Sequence, residues 1–184
     1  MTACLLVATA MAAYFGAKQV GHRADELLDE RARSVATAVD RRVQTYVEKT
    51  YALLGFFEVD EPVTHRDFER FMAGQRVRER YPGAFSFGYA ELSRQEGRDA
   101  FVRRVDHDAQ VSGLPYPRFA IRPNAHQPVS VVVTHVHPVV GLEAAYGFDL
   151  LSETARRTAV NGARDRGRPT ATAPLVFVTE READ

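Results

Sequence analysis

The longest regular pattern of apolar and polar positions covers residues 21–58. Apolar residues recur there at steps of three and four, while arginine, aspartate and glutamate fill the other positions. No proline interrupts the run, so the spacing predicts one continuous amphipathic helix. A helix of about 35 residues is about 52 Å long, far beyond the usual globular helix. We therefore expect a stalk over residues 20–58, whose stripe from Leu28 to Val43 packs on its own domain or on a second copy.

An uncharged apolar run precedes this helix. Residues 2–17 are rich in Ala, Leu, Val and Met, but the run is short against the roughly 20 residues of a membrane span. A signal peptide is the alternative, because Ala-x-Ala patterns occur at Ala8 and Ala10, although no basic segment precedes them. We interpret residues 1–19 as a transmembrane segment whose first residues are missing.

Residues 59–184 alternate between helix and strand signals. Thr64 and Asp67 form a capping box for a helix that ends before Tyr81. Aromatic residues alternating with small ones from residue 85 to 90 predict a strand, and Ser93 with Glu96 predicts the start of a helix over residues 94–108. Residues 119–121 and the β-rich run 129–136 predict further strands.

Residues 145–174 contain a complete strand, helix and strand pattern. Tyr146, Phe148 and Leu150 alternate with other residues as a strand end does, and Ser152 is a suitable N-cap for the helix that follows. Gly167 is a natural residue to end that helix, and a strand resumes from residue 170. The element order predicts an α+β fold, with an antiparallel sheet flanked by helices.

Two blocks of residues carry a resemblance to a known family. The C-terminal block comprises Gly147, Phe148, Asp149, Leu150, Ser152, Arg156, Arg157, Ala159, Ala163, Arg164, Asp165, Gly167 and Thr172. The upstream block comprises Phe68, Phe71, Arg80, Pro82, Gly83, Gly88, Tyr89, Glu96, Arg98 and Phe101. In this order they resemble the CHASE domain, an extracytoplasmic sensor module of membrane receptors such as histidine kinases and nucleotide cyclases.

The resemblance implies PAS-like antiparallel sheets on the stalk helix, with the C-terminal part of the 59–184 sensor region missing. It implies a periplasmic or extracellular domain of an inner (plasma) membrane receptor that binds a small molecule. The kinase or diguanylate or adenylate cyclase that receives the signal would lie outside this chain. The sequence departs from the family pattern at residues 131–133, His137 and Glu143. These positions surround the family's presumed ligand pocket, so the resemblance does not identify the ligand. A secreted binding or hydrolytic domain released by signal peptidase is the alternative, and N-terminal sequencing of the mature protein would distinguish the two.

Composition narrows the function classes. The formal net charge is zero, which argues against nucleic-acid binding because that requires a basic face. Cys4 is the only cysteine, so an intrachain disulfide is impossible. The sequence contains no Gly-x-Ser-x-Gly nucleophile motif and no Walker lysine motif. We expect no catalytic residues and no cofactor, and we interpret the charged tripeptide from Asp106 to Asp108 as a solvated face.

The histidines provide the candidate metal ligands. His135 and His137 are two apart and therefore face the same side of a strand. They would need His126 or Asp149 to complete a zinc site, and with so few ligands we predict no metal there. A polar strand end that faces a pocket or solvent is the preferred interpretation.

The predicted ligand pocket combines apolar walls with a few polar groups. Its predicted lining comprises Phe87, Tyr89, Thr134, His135, Tyr146 and Thr172. An unperturbed His135 would change ligand affinity between about pH 5 and 8. Structural roles are predicted for Gly147, Asp149, Arg156 and Gly167. Asp149 is expected to accept backbone N–H bonds at a helix start or to pair with Arg156, and as a cap it contributes about 1 kcal/mol.

Overall fold

The computed structural model describes residues 2–58, 62–123 and 127–175, with side chains from residue 28 onward apart from that of Arg78. The chain divides into two compact units, Met1–Lys49 and Thr50–Asp184. The described part is an α+β structure with a long N-terminal helix and a two-stranded antiparallel sheet. The predicted fold class is confirmed at that level, while the PAS-like arrangement and the boundaries 1–19, 20–58 and 59–184 stay predictions.

Helix α1 spans Thr2–Phe57 without a break. The predicted continuous helix over residues 21–58 is therefore confirmed. Its apolar stripe is solvent-exposed, since Leu28, Val35 and Val39 keep 64%, 63% and 54% of their surface accessible. Among the helices of the described residues, none combines the length and the apolar character that a membrane span requires.

Helix α2, His65–Gly74, begins at the predicted capping box. The hydroxyl oxygen of Thr64 accepts a hydrogen bond from the Asp67 N–H at 3.2 Å and donates one to the Asp67 carboxylate at 2.6 Å. The Thr64 hydroxyl thereby lowers the pKa of Asp67. The predicted helix to Tyr81 is wrong in its second half, because Arg76 adopts a left-handed conformation with φ of 50°. A separate short helix α3, Val77–Arg80, follows.

Strands β1, Phe87–Arg94, and β2, Val129–His137, form the antiparallel sheet. The strand predicted at 129–136 is confirmed, and the helix predicted over residues 94–108 is present but begins four residues later than predicted. Ser93 is buried and pairs with Ser130 in the ladder, so its backbone belongs to the sheet and cannot cap a helix. Helix α4 instead begins after Gly97 and spans Arg98–Ser112.

Residues 119–121 form no strand, and the strand predicted at 146–150 occurs only as isolated bridges. Arg122 pairs with Phe148, and Asp149 pairs with Val132, beside β2. Gly147, directly before Phe148, has φ of +85°, and a Cβ there would clash with the Ala120 carbonyl oxygen. Only glycine fits here, because the Ala120 backbone leaves no room for a side chain. The positive φ also interrupts the extended backbone that a regular strand would need.

The cap predicted at Ser152 is also wrong. Asp149 caps a short 3-10 helix, Leu150–Ser152, by accepting a hydrogen bond from the Leu151 N–H at 2.9 Å. Helix α5, Thr154–Arg166, begins two residues later and ends at Gly167, whose φ of 62° suits a C-terminal glycine. Residues 170–175 form no strand, and Phe177 and Val178, also predicted in that strand, lie outside the described residues.

Two groups of buried apolar side chains form the core of the Thr50–Asp184 unit. One group lies between α4, β2 and the segment 139–146, with Val105, Val132 and Tyr146 nearly inaccessible. The other joins the last turns of α1 to α2, with Phe68 and Met72 fully buried. Both groups reach the C-terminal half of β2, where the polar side chains of the candidate site lie.

Asp149 gives a first testable prediction. Its carboxylate is fully buried and accepts from the N–H groups of Leu151 at 2.9 Å and Val131 at 3.0 Å. Asp149→Ala leaves two buried donors without a partner, so we expect a loss of roughly 2–4 kcal/mol in the free energy of unfolding, measured with urea.

Asp149→Asn is the matched control, because an amide oxygen can still accept both bonds. It should lose less than half as much as the alanine variant. Equal losses in the two variants would show that the acceptor oxygen is not what stabilises this corner.

Candidate functional site

A β-bulge in β2 organises the polar residues of the core. Tyr89 of β1 lies opposite His135, but the next residue, Ala90, lies opposite Val133, so Thr134 has no partner in the ladder. Bulges of this kind re-aim side chains and release backbone groups from pairing. Thr134, His135 and Val136 are consequently all buried in succession, where a regular strand would alternate.

Thr134, which has no partner in the sheet ladder, presents its backbone carbonyl to a buried histidine. His65, the first residue of α2, is 1% exposed, and its Nε2 lies 2.9 Å from the Thr134 carbonyl oxygen. Its Nδ1 contacts the carboxylate of Asp108, which also accepts from the His65 backbone N–H at 2.9 Å. The two ring nitrogens of His65 thus join the Asp108 carboxylate on α4 to the Thr134 carbonyl on β2.

A second buried histidine stacks on the first. The ring of His135 lies 4.4 Å from that of His65 with an angle of 21° between the planes. Its Nδ1 is 3.0 Å from the Thr134 hydroxyl, and its Nε2 has no hydrogen-bond partner among the described residues. Burial lowers the pKa of His135 to about 3, the charge of His65 acts in the same direction, and the Val63 carbonyl opposes them weakly. His135 is therefore neutral at physiological pH, and it does not titrate between pH 5 and 8.

Aromatic side chains enclose the two histidines. The hydroxyl of Tyr146 lies 3.3 Å from His65 Nε2, and the hydroxyl of Tyr116 donates to the Val136 carbonyl at 2.9 Å. Burial raises the pKa of both tyrosines, so both stay protonated and available as donors. On the other side, Tyr89 stacks on Phe57 with 3.7 Å between the ring centroids.

An open cavity of about 380 Å³ adjoins the end of β2. Its lining comprises Val77, Ala84, Phe85, His137, Pro138, Val140, Gly141 and Leu142. His137 is the polar group in this apolar lining, and its Nδ1 pairs with the Glu69 carboxylate at 2.9 Å. The cavity thus has mostly apolar walls and one ion-paired histidine.

The predicted ligand-binding residues occupy three different environments. Thr134, His135 and Tyr146 are buried together around His65, and Tyr89 borders them, with its ring 6.2 Å from that of His135. Phe87 is partly buried against the other core group, where it packs edge-on to Tyr81. Thr172 is exposed to solvent.

The residues with predicted structural roles make local contacts. Gly147 and Gly167 supply the two left-handed backbone positions described above. Arg156 pairs with Glu153 and lies 5.1 Å above the Phe148 ring, so it does not pair with Asp149 as one interpretation predicted. Asp149 instead accepts backbone N–H bonds, which was the other interpretation.

Sequence reasoning missed the residues at the centre of the site. Asp106 and Asp108 were predicted to be a solvated face, yet Asp106 accepts from the Phe119 N–H at 2.9 Å and Asp108 binds His65. His65 itself was not predicted, although its place directly after the Thr64 cap put its backbone N–H at a helix start. Of the candidate zinc ligands weighed from the sequence, His126 lies outside the described residues, and Asp149 is bound to backbone N–H groups.

The depressed pKa of His135 gives a second testable prediction. Its pKa is about 3 in the folded chain against an ordinary 6.5, so as pH falls the unfolded chain binds the proton first. Stability is therefore complete above pH 6.5 and decreases below it by about 1.4 kcal/mol per pH unit. Urea unfolding from about pH 6.5 to about pH 4.5 should show this slope in the natural chain.

His135→Gln removes the titrating group. The free energy of unfolding of this variant should therefore fall less steeply with decreasing pH, by about 1.4 kcal/mol per pH unit. His107→Gln changes an exposed histidine on α4 and should leave the slope as it is. Identical slopes in the natural chain and the His135 variant would contradict the prediction.

The comparisons with known proteins agree with the resemblance found in the sequence. A model of the CHASE domain family matches residues 61–184, which includes β1, α4, β2 and α5. Among curated proteins, no significant match to this sequence was found. The family match covers more than half of the chain, and it includes the histidine cluster formed by His65, Asp108 and His135. The chain therefore belongs to the CHASE domain family of sensor domains.

Proposed function

We propose that this chain is the extracytoplasmic ligand-sensing domain of a membrane-bound receptor. It binds a small molecule and passes the signal to a cytoplasmic kinase or nucleotide cyclase outside this chain. The family match over residues 61–184 is the observation that carries this proposal, because CHASE domains are sensor domains and not catalytic ones. The apolar run at residues 2–17 would anchor the domain in the membrane.

The cavity at the end of β2 supports the small-molecule part of the proposal. Its volume of about 380 Å³ falls within the roughly 300–1,000 Å³ of typical ligand sites. Apolar walls with one polar group suit a small, partly apolar ligand, and His137 with Glu69 would contact its polar end. His65 and its neighbours His135 and Tyr146 are almost fully buried, so a ligand there would require the core to open.

Contacts inside the Thr50–Asp184 unit supply a route for the signal. Phe56 of α1 stacks on Phe71 of α2 with 4.3 Å between ring centroids, and Phe57 stacks on Tyr89 of β1. Glu69, which pairs with the cavity residue His137, lies on the same helix as Phe71. A ligand that displaces Glu69 would therefore move α2 against the end of α1.

A thermal-shift screen of small metabolites tests the ligand proposal. At least one compound should raise the melting temperature of the natural chain, since binding to the folded state stabilises it. Val140→Trp should abolish this shift, because a large ring at this 67% exposed position fills the cavity mouth. Val111→Trp adds the same ring at a 57% exposed position on α4 and is the control.

Two further variants test the ligand-binding residues expected from the sequence. Tyr89→Ala and Thr172→Ile should leave the shift intact if the ligand occupies the cavity at His137. A shift lost in these two variants and kept in Val140→Trp would place the ligand at the sequence-predicted residues instead. The absence of any stabilising compound in a broad library would count against ligand sensing.

The exposed stripe of α1 supports a parallel dimer as part of the receptor. Leu28, Val35, Val39 and Val43 are all about half or more exposed on one helix face, and such stripes pair in coiled coils. We expect the double variant Val35→Glu and Val39→Glu to abolish crosslinking between copies. Thr37→Glu with Gln44→Glu adds the same charge to the opposite face and should leave crosslinking unchanged. Full crosslinking in the stripe variant would remove the dimer.

A further inference from the structure

The histidine cluster contains ligating atoms from three different elements. His65 lies at the start of α2, Asp108 on α4 and His135 on β2. One ligand atom from each lies within 4.8 Å of the other two. Two of the three residues are buried, with His65 at 1% and His135 at 3% exposure, while the side chain of Asp108 is 26% exposed. The cluster is thus closed on most sides and reachable from solvent through Asp108.

The hydrogen bonds of His65 orient it as a ligating histidine is usually oriented. Ligating imidazoles donate their second N–H to a carboxylate or a backbone carbonyl, which fixes the tautomer and the ring position. His65 Nε2 already has such a partner in the Thr134 carbonyl at 2.9 Å. Its Nδ1 therefore faces Asp108, the one carboxylate of the cluster, with only a proton between the two groups.

The unpaired nitrogen of His135 is the independent observation. His135 Nδ1 contacts the Thr134 hydroxyl at 3.0 Å, whereas Nε2 is buried without a hydrogen-bond partner among the described residues. An unsatisfied polar atom in a core costs free energy, and a bound ion is one of the ways in which native structures satisfy such an atom. A neutral imidazole with a free lone pair is the form that binds metals.

We propose that His65 Nδ1, Asp108 and His135 Nε2 bind a divalent transition-metal ion of the zinc class. Two imidazoles and one carboxylate suit Zn²⁺ and Co²⁺ better than the all-oxygen sites of Mg²⁺ and Ca²⁺. The ion replaces the proton between His65 and Asp108, so one proton is released. A fourth position, on the exposed side of Asp108, remains for water.

Binding requires a rearrangement within the cluster. Ligands of tetrahedral zinc, at about 2.0–2.1 Å from the ion, lie roughly 3.3 Å apart. His65 Nδ1 and the Asp108 carboxylate are in direct hydrogen-bond contact and must separate to admit the ion, while all the ligand atoms must come from within the present 4.8 Å to the zinc distance. The His135 ring must also tilt out of its stacked position on His65, because the lone pairs of parallel imidazoles do not point to one ion. The bound ion would join α2, α4 and β2, so the metal-bound domain should unfold at a higher temperature.

A cobalt and zinc titration of the full chain, purified without a histidine tag and stripped with chelator, tests the site. One equivalent of Co²⁺ should give the intense visible bands of tetrahedral coordination, and Zn²⁺ should displace it and raise the melting temperature. His135→Gln and Asp108→Asn should each weaken Zn²⁺ binding by more than the roughly 10–100-fold cost of losing an outer-shell partner. His107→Gln changes an exposed histidine outside the cluster and should bind zinc as the natural chain does.

X-ray absorption of zinc bound to the natural chain tests the ligands without any substitution, so the test does not depend on variants that fold. Two imidazole ligands are expected. Binding weaker than about 1 mM, equal affinity in a folded His135→Gln variant, or fewer than two imidazoles would overturn the proposal. A sulfur ligand at about 2.3 Å would also overturn it, because it would place the ion at Cys4.

Discussion

The pairing of His65 with Asp108 is the interaction on which the rest of the sensor domain depends. A buried imidazole ring is most stable when both of its nitrogens have hydrogen-bond partners. Asp108 and the Thr134 carbonyl supply these partners from α4 and β2. One side chain at the start of α2 thereby determines where a second helix and the sheet must lie. The neighbouring tyrosines and His135 pack around this pair and stay neutral mainly because they are buried.

This arrangement places polar chemistry at the junction of the two apolar groups in the core. Tyr116 and Tyr146 belong to the group around α4 and β2, while Phe68 belongs to the group at α2, and all three surround the histidines. A change in charge or ligation at this junction would alter both halves of the core together. The cavity at His137 lies two residues farther along the same strand, so the two sites share one piece of backbone.

The sequence predicted those parts of the fold that depend on a few adjacent residues. The Thr64 capping box, the terminal Gly167 and the Val-rich strand β2 were all predicted correctly, because each depends on a few adjacent residues. Ser93 and Ser152 are hydroxyl residues at predicted helix starts, as Thr64 is, yet neither caps an α-helix. Ser93 is paired in the sheet. Ser152 is the last residue of the 3-10 helix that Asp149 caps. The surroundings of His65 were not predictable, because its partners Asp108 and the Thr134 carbonyl lie 43 and 69 residues away in sequence.

The bulge at Thr134 has a consequence for comparing this chain with its relatives. In a regular strand, Val133 and Val131 would face the same side as the buried His135. Because of the extra residue at Thr134, Val132 and Ser130 face the core instead. A relative with a regular strand has one residue fewer here, so a correct alignment must place a single gap inside the most hydrophobic stretch of the domain. An ungapped alignment would match inward-facing positions with outward-facing ones. It would also assign the position of His135 to the wrong residue in the relative.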